Sequence, residues 1–481
     1  MRNLSFLLPF KQKKSTEWPW HLMGHLFFGV MLLMSLLFYQ ERMLAMDSAY
    51  YAFKVIVHED FFTGHHRSIS YLPQLFPLLG IQLGWSLKAV LMAYSAGFIL
   101  FYYAAYNILV YLFKNPQAGL FLALSLGLCM RYKFYGPVGE VVLSIVYLAL
   151  LMGWLTKPKD KFSNLSAWLD VLIGIGIASL LHTAHPFITI TTIICLGFVL
   201  IFQKEWKNLR FWIISLYTGV LLLFSFVFVE RNAYEADRAD RLAEAWKVLE
   251  NYNDYYIAEV ISSYFDSQYA FPFIVFLLSL VLLVVSKRFF TALYLSLSFL
   301  VLLGIIIVMH AYLSSKILIM LDGYLVHLGV IWALPLAFHW GQQRQWWMTL
   351  TVAFLLIFSL ARINDSKVFF QHRLTYLENA LSQHTSPEHP KAVAYLDNFN
   401  YEKLWIGWAM SCETLLLSSL EGPSASRSIY LADKRGDLEG HFDEPDLYLN
   451  VPFAPFFIKN EDLPLQYFQL PKVPYREVEL E

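Results

Sequence analysis

The chain has 481 residues, 57% of them hydrophobic and only 15% charged, with a net charge of -1 and a mean hydropathy of +0.48. Soluble globular domains carry roughly 25% charged residues, so the composition excludes an ordinary soluble enzyme, while the whole-chain charge balance by itself says nothing about nucleic acid. Three scattered cysteines, Cys129, Cys195 and Cys412, make neither a disulfide framework nor a CxxC metal site.

The apolar stretch at 4–10 is too short and too early for a cleaved leader, and reads as an interfacial segment. Apolar runs follow at 20–39, 87–113, 117–130, 137–155, 168–181, 187–202, 211–229, 270–286, 289–312, 323–340 and 346–361. They predict about eleven transmembrane helices, the shorter ones tilted or buried within the bundle. Residues 169–202 could form one helix about 50 Å long, against a hydrocarbon core of about 30 Å. The sequence HTAHP at its middle, with Pro186, predicts two short helices instead.

Charge agrees. With the N-terminus inside, the inner segments hold Arg2, Lys11, Lys13, Lys14, Lys114, Lys157, Lys159, Lys161, Lys204, Lys207, Arg210, Lys287, Arg288 and Arg344. The outer loops before 87, around 131, at HTAHP and before 323 hold only Arg42, Lys54, Arg67, Arg131, Lys133 and Lys316. This is the positive-inside pattern. It predicts a cytoplasmic N-terminus and an extracytoplasmic tail, in what we expect to be a bacterial inner membrane.

The expected fold is therefore an all-α polytopic membrane bundle over 1–361, with outer loops at 40–86 and 230–269, and a small mixed α/β domain over 362–481 on the outer face. Within 230–269, Leu242, Ala245, Trp246 and Leu249 recur at helical spacing beside alternating charges, predicting a solvated helix. The tail predicts a helical start over 391–420, then β hairpins at SIYLAD, LYLNVPF and LQYFQL.

Chemistry gathers in the outer loops. Asp47 opens MDSAYYAFKVI, where Tyr50, Tyr51 and Phe53 suit an interfacial helix over 47–58 and Asp47 or Ser48 suits its N-cap. His65, His66 and Arg67 in GHHRS, Arg131 and Lys133 in RYKFYGPVGE, and Lys316 are cations suited either to phosphate or to lipid headgroups. Adjacent histidines diverge and no third ligand is suitably spaced, so no metal is expected. Glu140 starts the fourth helix, as a dipole-favoured acid or as a second carboxylate near Asp47. His182 and His185 either close a helix junction or line an intramembrane cavity. Asp322 reads as the N-cap of the tenth helix.

An acid in the first outer loop followed by tyrosines, many helices and an outer C-terminal domain together resemble the GT-C superfamily of membrane glycosyltransferases. The resemblance rests on architecture and on Asp47 with Tyr50 and Tyr51. It implies a polyprenyl-phosphate-linked sugar donor and Asp47 as general base for an acceptor hydroxyl, with cationic side chains or, less expected, a divalent metal meeting the charge on the leaving phosphate. The WWDYG signature of oligosaccharyltransferases is absent, since Trp346–Trp347 continues into Met348, and this points to transfer of a single sugar. A transporter or flippase, a polysaccharide polymerase or ligase, and a non-catalytic membrane scaffold are the alternatives. The expected partners are the lipid-linked donor and membrane lipids, not nucleic acid.

Overall fold

The computed structural model describes residues 20–64, 68–158, 166–228, 240–312, 318–341, 346–396, 404, 406–432, 441, 443–451 and 454–480. The chain is mostly helical, with a small mixed α/β region at its C-terminal end. Its helices are α1 Trp20–Leu37, α2 Tyr39–Met43, α3 Met46–His58, α4 Tyr71–Gln82, α5 Leu87–Asn107, α6 Pro116–Cys129, α7 Tyr132–Tyr135, α8 Glu140–Leu155, α9 Ala167–His182, α10 Ile188–Gln203 and α11 Leu209–Phe228. They continue with α12 Ala245–Glu250, α13 Tyr256–Ser263, α14 Ala270–Val285, α15 Phe289–His310, α16 Leu318–Leu334, α17 Trp346–Asp365, α18 Lys367–His384 and α19 Met410–Ser419.

Each of the eleven apolar runs is helical. By length and composition, four helices among the described residues could cross a membrane: Leu87–Leu112, Phe289–His310, Ile319–Trp340 and Trp346–His384. The pair Tyr256–Gln268 and Ala270–Val285, bent by 79°, counts as a fifth if the two helices form one broken span rather than a re-entrant loop. Local chemistry sets several helix starts. Ser86 accepts from the Ala89 amide (3.4 Å). Asn115 accepts from Ala118 (3.1 Å), with Pro116 at the first helical position, and Ser166 accepts from Leu169 (3.3 Å). These are N-cap and N1 preferences at work. Ile319–Trp340 is the most enclosed span, with 94% of its apolar window buried, and it packs most extensively on α6.

Ion pairs and hydrogen bonds sort the helix ends. At one end, Asp170 at the start of α9 meets Lys157, which follows α8, and Arg210 at the start of α11 (2.6 Å). The Arg288 guanidinium donates to the Phe202 carbonyl at the end of α10 (3.1 Å). Ser286 and His339, past the ends of α14 and α16, lie 3.3 Å apart. Left-handed Lys114 (φ 52°), Lys204 and Lys287 (both φ 58°) follow helices that finish here, placing cations where the helix dipoles favour them. Residues 169–202 form the two helices expected, since α9 begins and α10 finishes at this same end. The opposite end holds α3, α7 and the tail.

Three expectations about these elements are corrected. The charged segment 230–269 is, where described, a chain of short pieces: a 3₁₀ turn Leu242–Glu244, α12, a 3₁₀ turn Tyr252–Asp254, α13 and a π turn Tyr264–Gln268. The stretch 391–420, expected to be helical, opens on a strand and is helical only over Met410–Ser419. Strand β1 Lys391–Tyr395 pairs in parallel with β2 Ser428–Ala432 and β5 Arg476–Glu477, giving the order β2-β1-β5 with α19 as the β1–β2 crossover. Strands β3 Leu447–Val451 and β4 Ala454–Lys459 form an antiparallel pair. Every residue of β1, β2 and β3 is buried, so the alternation that marks half-exposed strands is missing. Finally, LQYFQL is not a strand: 465–467 form a turn and 468–470 are irregular.

Candidate active site at the tail-bearing end

Helix α3 runs as expected, but it starts at Met46 with Ala45 at the cap position and no side-chain cap. Asp47 and Ser48 are therefore not the N-caps. Ser48 Oγ is buried without a hydrogen-bond partner among the described residues, whereas Asp47 lies in the first turn with an exposed side chain. Tyr50 and Phe53 of this helix pack against other parts of the chain. The Tyr50 ring meets Phe62 and Trp408 edge-on (centroids 5.4 and 5.6 Å apart), and Phe53 meets Tyr448 (5.4 Å) and Phe468 (6.1 Å). The tail thus covers the face that the sequence assigned to the membrane interface.

Tyr51 is the hub. Its hydroxyl accepts from the Gly64 amide (2.8 Å) and donates to Glu140 Oε1 (3.4 Å) at the start of α8. Burial first, then Glu140 and Asp47, push this hydroxyl above the ordinary tyrosine value. It therefore stays protonated as a donor between two carboxylates. Lys133 arrives from the RYKFYGPVGE loop. A Cβ on Gly323 would lie 2.7 Å from Lys133 Cε, and one on Gly139 would lie 3.1 Å from Nζ. The ammonium is thus packed beside the N-terminus of α8, next to Glu140.

Beneath this layer, Asp322 organises a buried polar group. The residue is fully buried. Its Oδ2 accepts from the backbone amides of Arg131 (3.3 Å) and Lys133 (3.0 Å), and its Oδ1 from the Tyr269 hydroxyl (3.2 Å). The N-cap assignment is thereby corrected: α16 begins at Leu318, and Asp322, a turn inside it, caps α7 of another segment instead. Arg362 donates to the carbonyls of Gly127 (2.8 Å), Leu128 (2.6 Å) and Gln268 (3.0 Å). Arg131 is only 7% exposed, and its guanidinium sits over the rings of Tyr132 (4.8 Å) and Tyr264 (4.9 Å). Its Nε and Nη1 find no hydrogen-bond partner among the described residues. Arg42, which follows α1, is fully buried and donates to Ser95 Oγ (2.8 Å), the Ser95 carbonyl (3.2 Å) and the Phe134 carbonyl. Burial holds its guanidinium down to about 10.

Of the remaining expected residues, His65, His66, Arg67 and Lys316 lie outside the described residues, as does the side chain of His182. His185 Nδ1 accepts from the Phe187 amide (3.2 Å), closing the α9–α10 turn, and its ring meets Tyr324 edge-on (5.7 Å). Tyr324 adjoins Gly323, so His185 borders the Lys133 region. Sequence reasoning missed Arg42, Tyr269, Arg362, Arg373 and Glu413. A buried Arg at the end of an apolar run was the available signal for Arg42 and Arg362.

A cavity of about 600 Å³ lies elsewhere, beyond the Tyr264–Gln268 turn. Its walls include polar Asn253, Glu259 and Ser262 and apolar Phe265, Phe299 and Leu303. Asp47, Glu140 and Asp322 do not line it. Their connection is the π turn itself, with Phe265 at the cavity and Tyr264 under Arg131. No known protein family, curated relative or solved structure matches the chain.

Proposed function

We propose that the protein is a membrane glycosyltransferase of the GT-C kind, moving one sugar from a polyprenyl-phosphate donor to an acceptor at the face bearing the tail. In this reading all eleven apolar helices cross the membrane, with the N-terminus in the cytoplasm and the tail outside. The supporting observation is convergence. Asp47, Tyr51, Glu140 and Lys133, from two loops more than eighty residues apart, gather at one end of the bundle. Asp47 is exposed and does not serve as the helix cap.

The chemistry follows from the residue types. An acceptor hydroxyl attacks the anomeric carbon, its proton passes to the Asp47 carboxylate, and the bond to phosphate oxygen breaks with its electron pair. The leaving phosphate gains negative charge, which Lys133 and the unpartnered edge of Arg131 are suited to meet. Glu140, held by Tyr51, orients the acceptor. The cavity, mostly apolar with Phe265, Phe273 and Phe299 in its walls, suits the first part of a lipid tail. A transport reading has the buried Asp322 and Arg362 in its favour, since ionisable groups inside apolar helices mark pathways. Here, however, Asp322 takes two backbone amides and Arg362 grips three backbone carbonyls, which suits holding loops together more than passing a substrate. Transfer of labelled sugar from a polyprenyl-phosphate donor by the purified protein tests the proposal; transport of the donor without transfer would refute it.

A further inference from the structure

The helix carrying Asp47 has no cap of its own. Ala45 offers no acceptor, and Met46, the first helical residue, holds a left-handed backbone (φ 50°). Such a conformation costs a non-glycine residue free energy and persists only where the surroundings impose it. The Met46 amide is met by a carboxylate 367 positions further along, since it donates to Glu413 Oε1. Glu413 lies in the first turn of α19 and is fully buried. It is gripped in turn by Arg373 of α18, whose Nε (3.0 Å) and Nη2 (2.6 and 2.7 Å) reach both carboxylate oxygens. The same guanidinium donates to the carbonyls of Ile406 (2.8 Å) and Leu404. Helix α18 continues the apolar helix 346–384 directly out of the bundle.

An unbroken line therefore runs from the longest apolar helix through Arg373 and Glu413 to the backbone of the residue before Asp47. We propose that Glu413 is a positioning residue: the tail, through the Arg373–Glu413 pair, holds Met46 left-handed and so sets where the Asp47 carboxylate sits. This rests on the reading of Asp47 as the base. A charged acceptor at the N-terminus of α3 suits both the free amide and the helix dipole. A purely adhesive contact would need neither a fully buried acid nor a strained residue at its tip.

The experiment uses the full-length protein in nanodiscs, with hydrogen exchange at amides 46–49 and sugar transfer measured side by side. Glu413→Asp keeps the charge for Arg373 but withdraws the acceptor by one methylene. A second variant, Arg373→Met with Glu413→Leu, removes both charges together and leaves neither buried alone. In each, exchange at 46–49 is expected to rise roughly tenfold or more, the worth of a hydrogen bond to a charged group. The turnover number should fall at unchanged KM for the donor. Adding Met46→Gly, which adopts φ 50° without strain, should restore turnover in part. Unchanged exchange at 46–49 overturns the clamp, as does a rise spread evenly over the whole tail, or a loss of turnover that Met46→Gly leaves untouched. Raised local exchange in a protein whose wild type transfers no sugar upholds the clamp and removes the proposed reaction.

Discussion

Removing the Asp322 carboxylate should loosen the Arg131–Lys133 loop by an amount that the hydrogen bonds allow one to estimate. Asp322 takes two backbone amides and a tyrosine hydroxyl in a fully buried site. Asp322→Ala leaves three donors without an acceptor, each costing about 1–3 kcal/mol when it cannot reach water. Tyr269 recovers one, because its hydroxyl also reaches the Cys129 carbonyl (3.2 Å). The expected loss is therefore about 2–6 kcal/mol. Asp322→Asn keeps the shape. Its single carbonyl oxygen can serve both amides, its NH₂ faces a hydroxyl that can accept, and only the charge opposite Arg131 and Arg362 is lost. We expect about 1–2 kcal/mol for this variant. Thermal unfolding in detergent, followed by the fraction surviving gel filtration, ranks the two. Alanine and asparagine unfolding together, or alanine matching wild type, would refute the hydrogen-bond reasoning.

Three further outcomes are expected. Cys129, Cys195 and Cys412 are all buried, so Trp206→Cys (56% exposed) and Leu465→Cys (67% exposed) should report topology cleanly: Leu465→Cys labels in intact cells, Trp206→Cys only after permeabilisation, and the reverse pattern sinks the orientation. Tyr51→Phe removes the bonds to Gly64 and Glu140 and should lower sugar transfer about tenfold, the worth of about 1.4 kcal/mol; unaltered turnover would detach Tyr51 from the site. Burial holds the Lys391 ammonium at about 8, below its ordinary 10.5, so between these values the unfolded chain binds the extra proton and this group's contribution to tail stability rises with pH. Lys391→Met should flatten that slope in a pulse-proteolysis series from pH 7.5 to about 10, although it also strands the Pro445 and Leu447 carbonyls (2.8 and 2.7 Å).

Local signals were legible and long-range ones were not. Apolar runs marked the helices and Pro186 marked the α9–α10 break, because each acts through neighbours in the chain. Asp322 was misread for the same reason. Asp before Gly-Tyr looks like a cap, yet Leu318–Leu321 add a turn ahead of it and its partners lie about 190 positions away. Lys391 in KAVAY gave no strand signal, since a strand buried on both faces has no alternation and its lysine is satisfied by carbonyls from a distant loop. Asp47, Glu140 and Lys133 could each be suspected singly. The meeting of Asp47 and Glu140 at Tyr51, the approach of Lys133 to Gly139, and the reach of Glu413 to Met46 are properties of tertiary packing that no spacing encodes.

The central claim is that Asp47 accepts the acceptor's proton. Asp47→Asn preserves shape at an exposed position that is not the helix cap, so folding and membrane insertion should match wild type. Transfer of labelled sugar from a polyprenyl-phosphate donor, measured for both purified proteins, should fall at least about a hundredfold, the lower worth of a general base. Equal turnover in the two proteins would contradict the account and return α3 to being a helix packed beneath the tail.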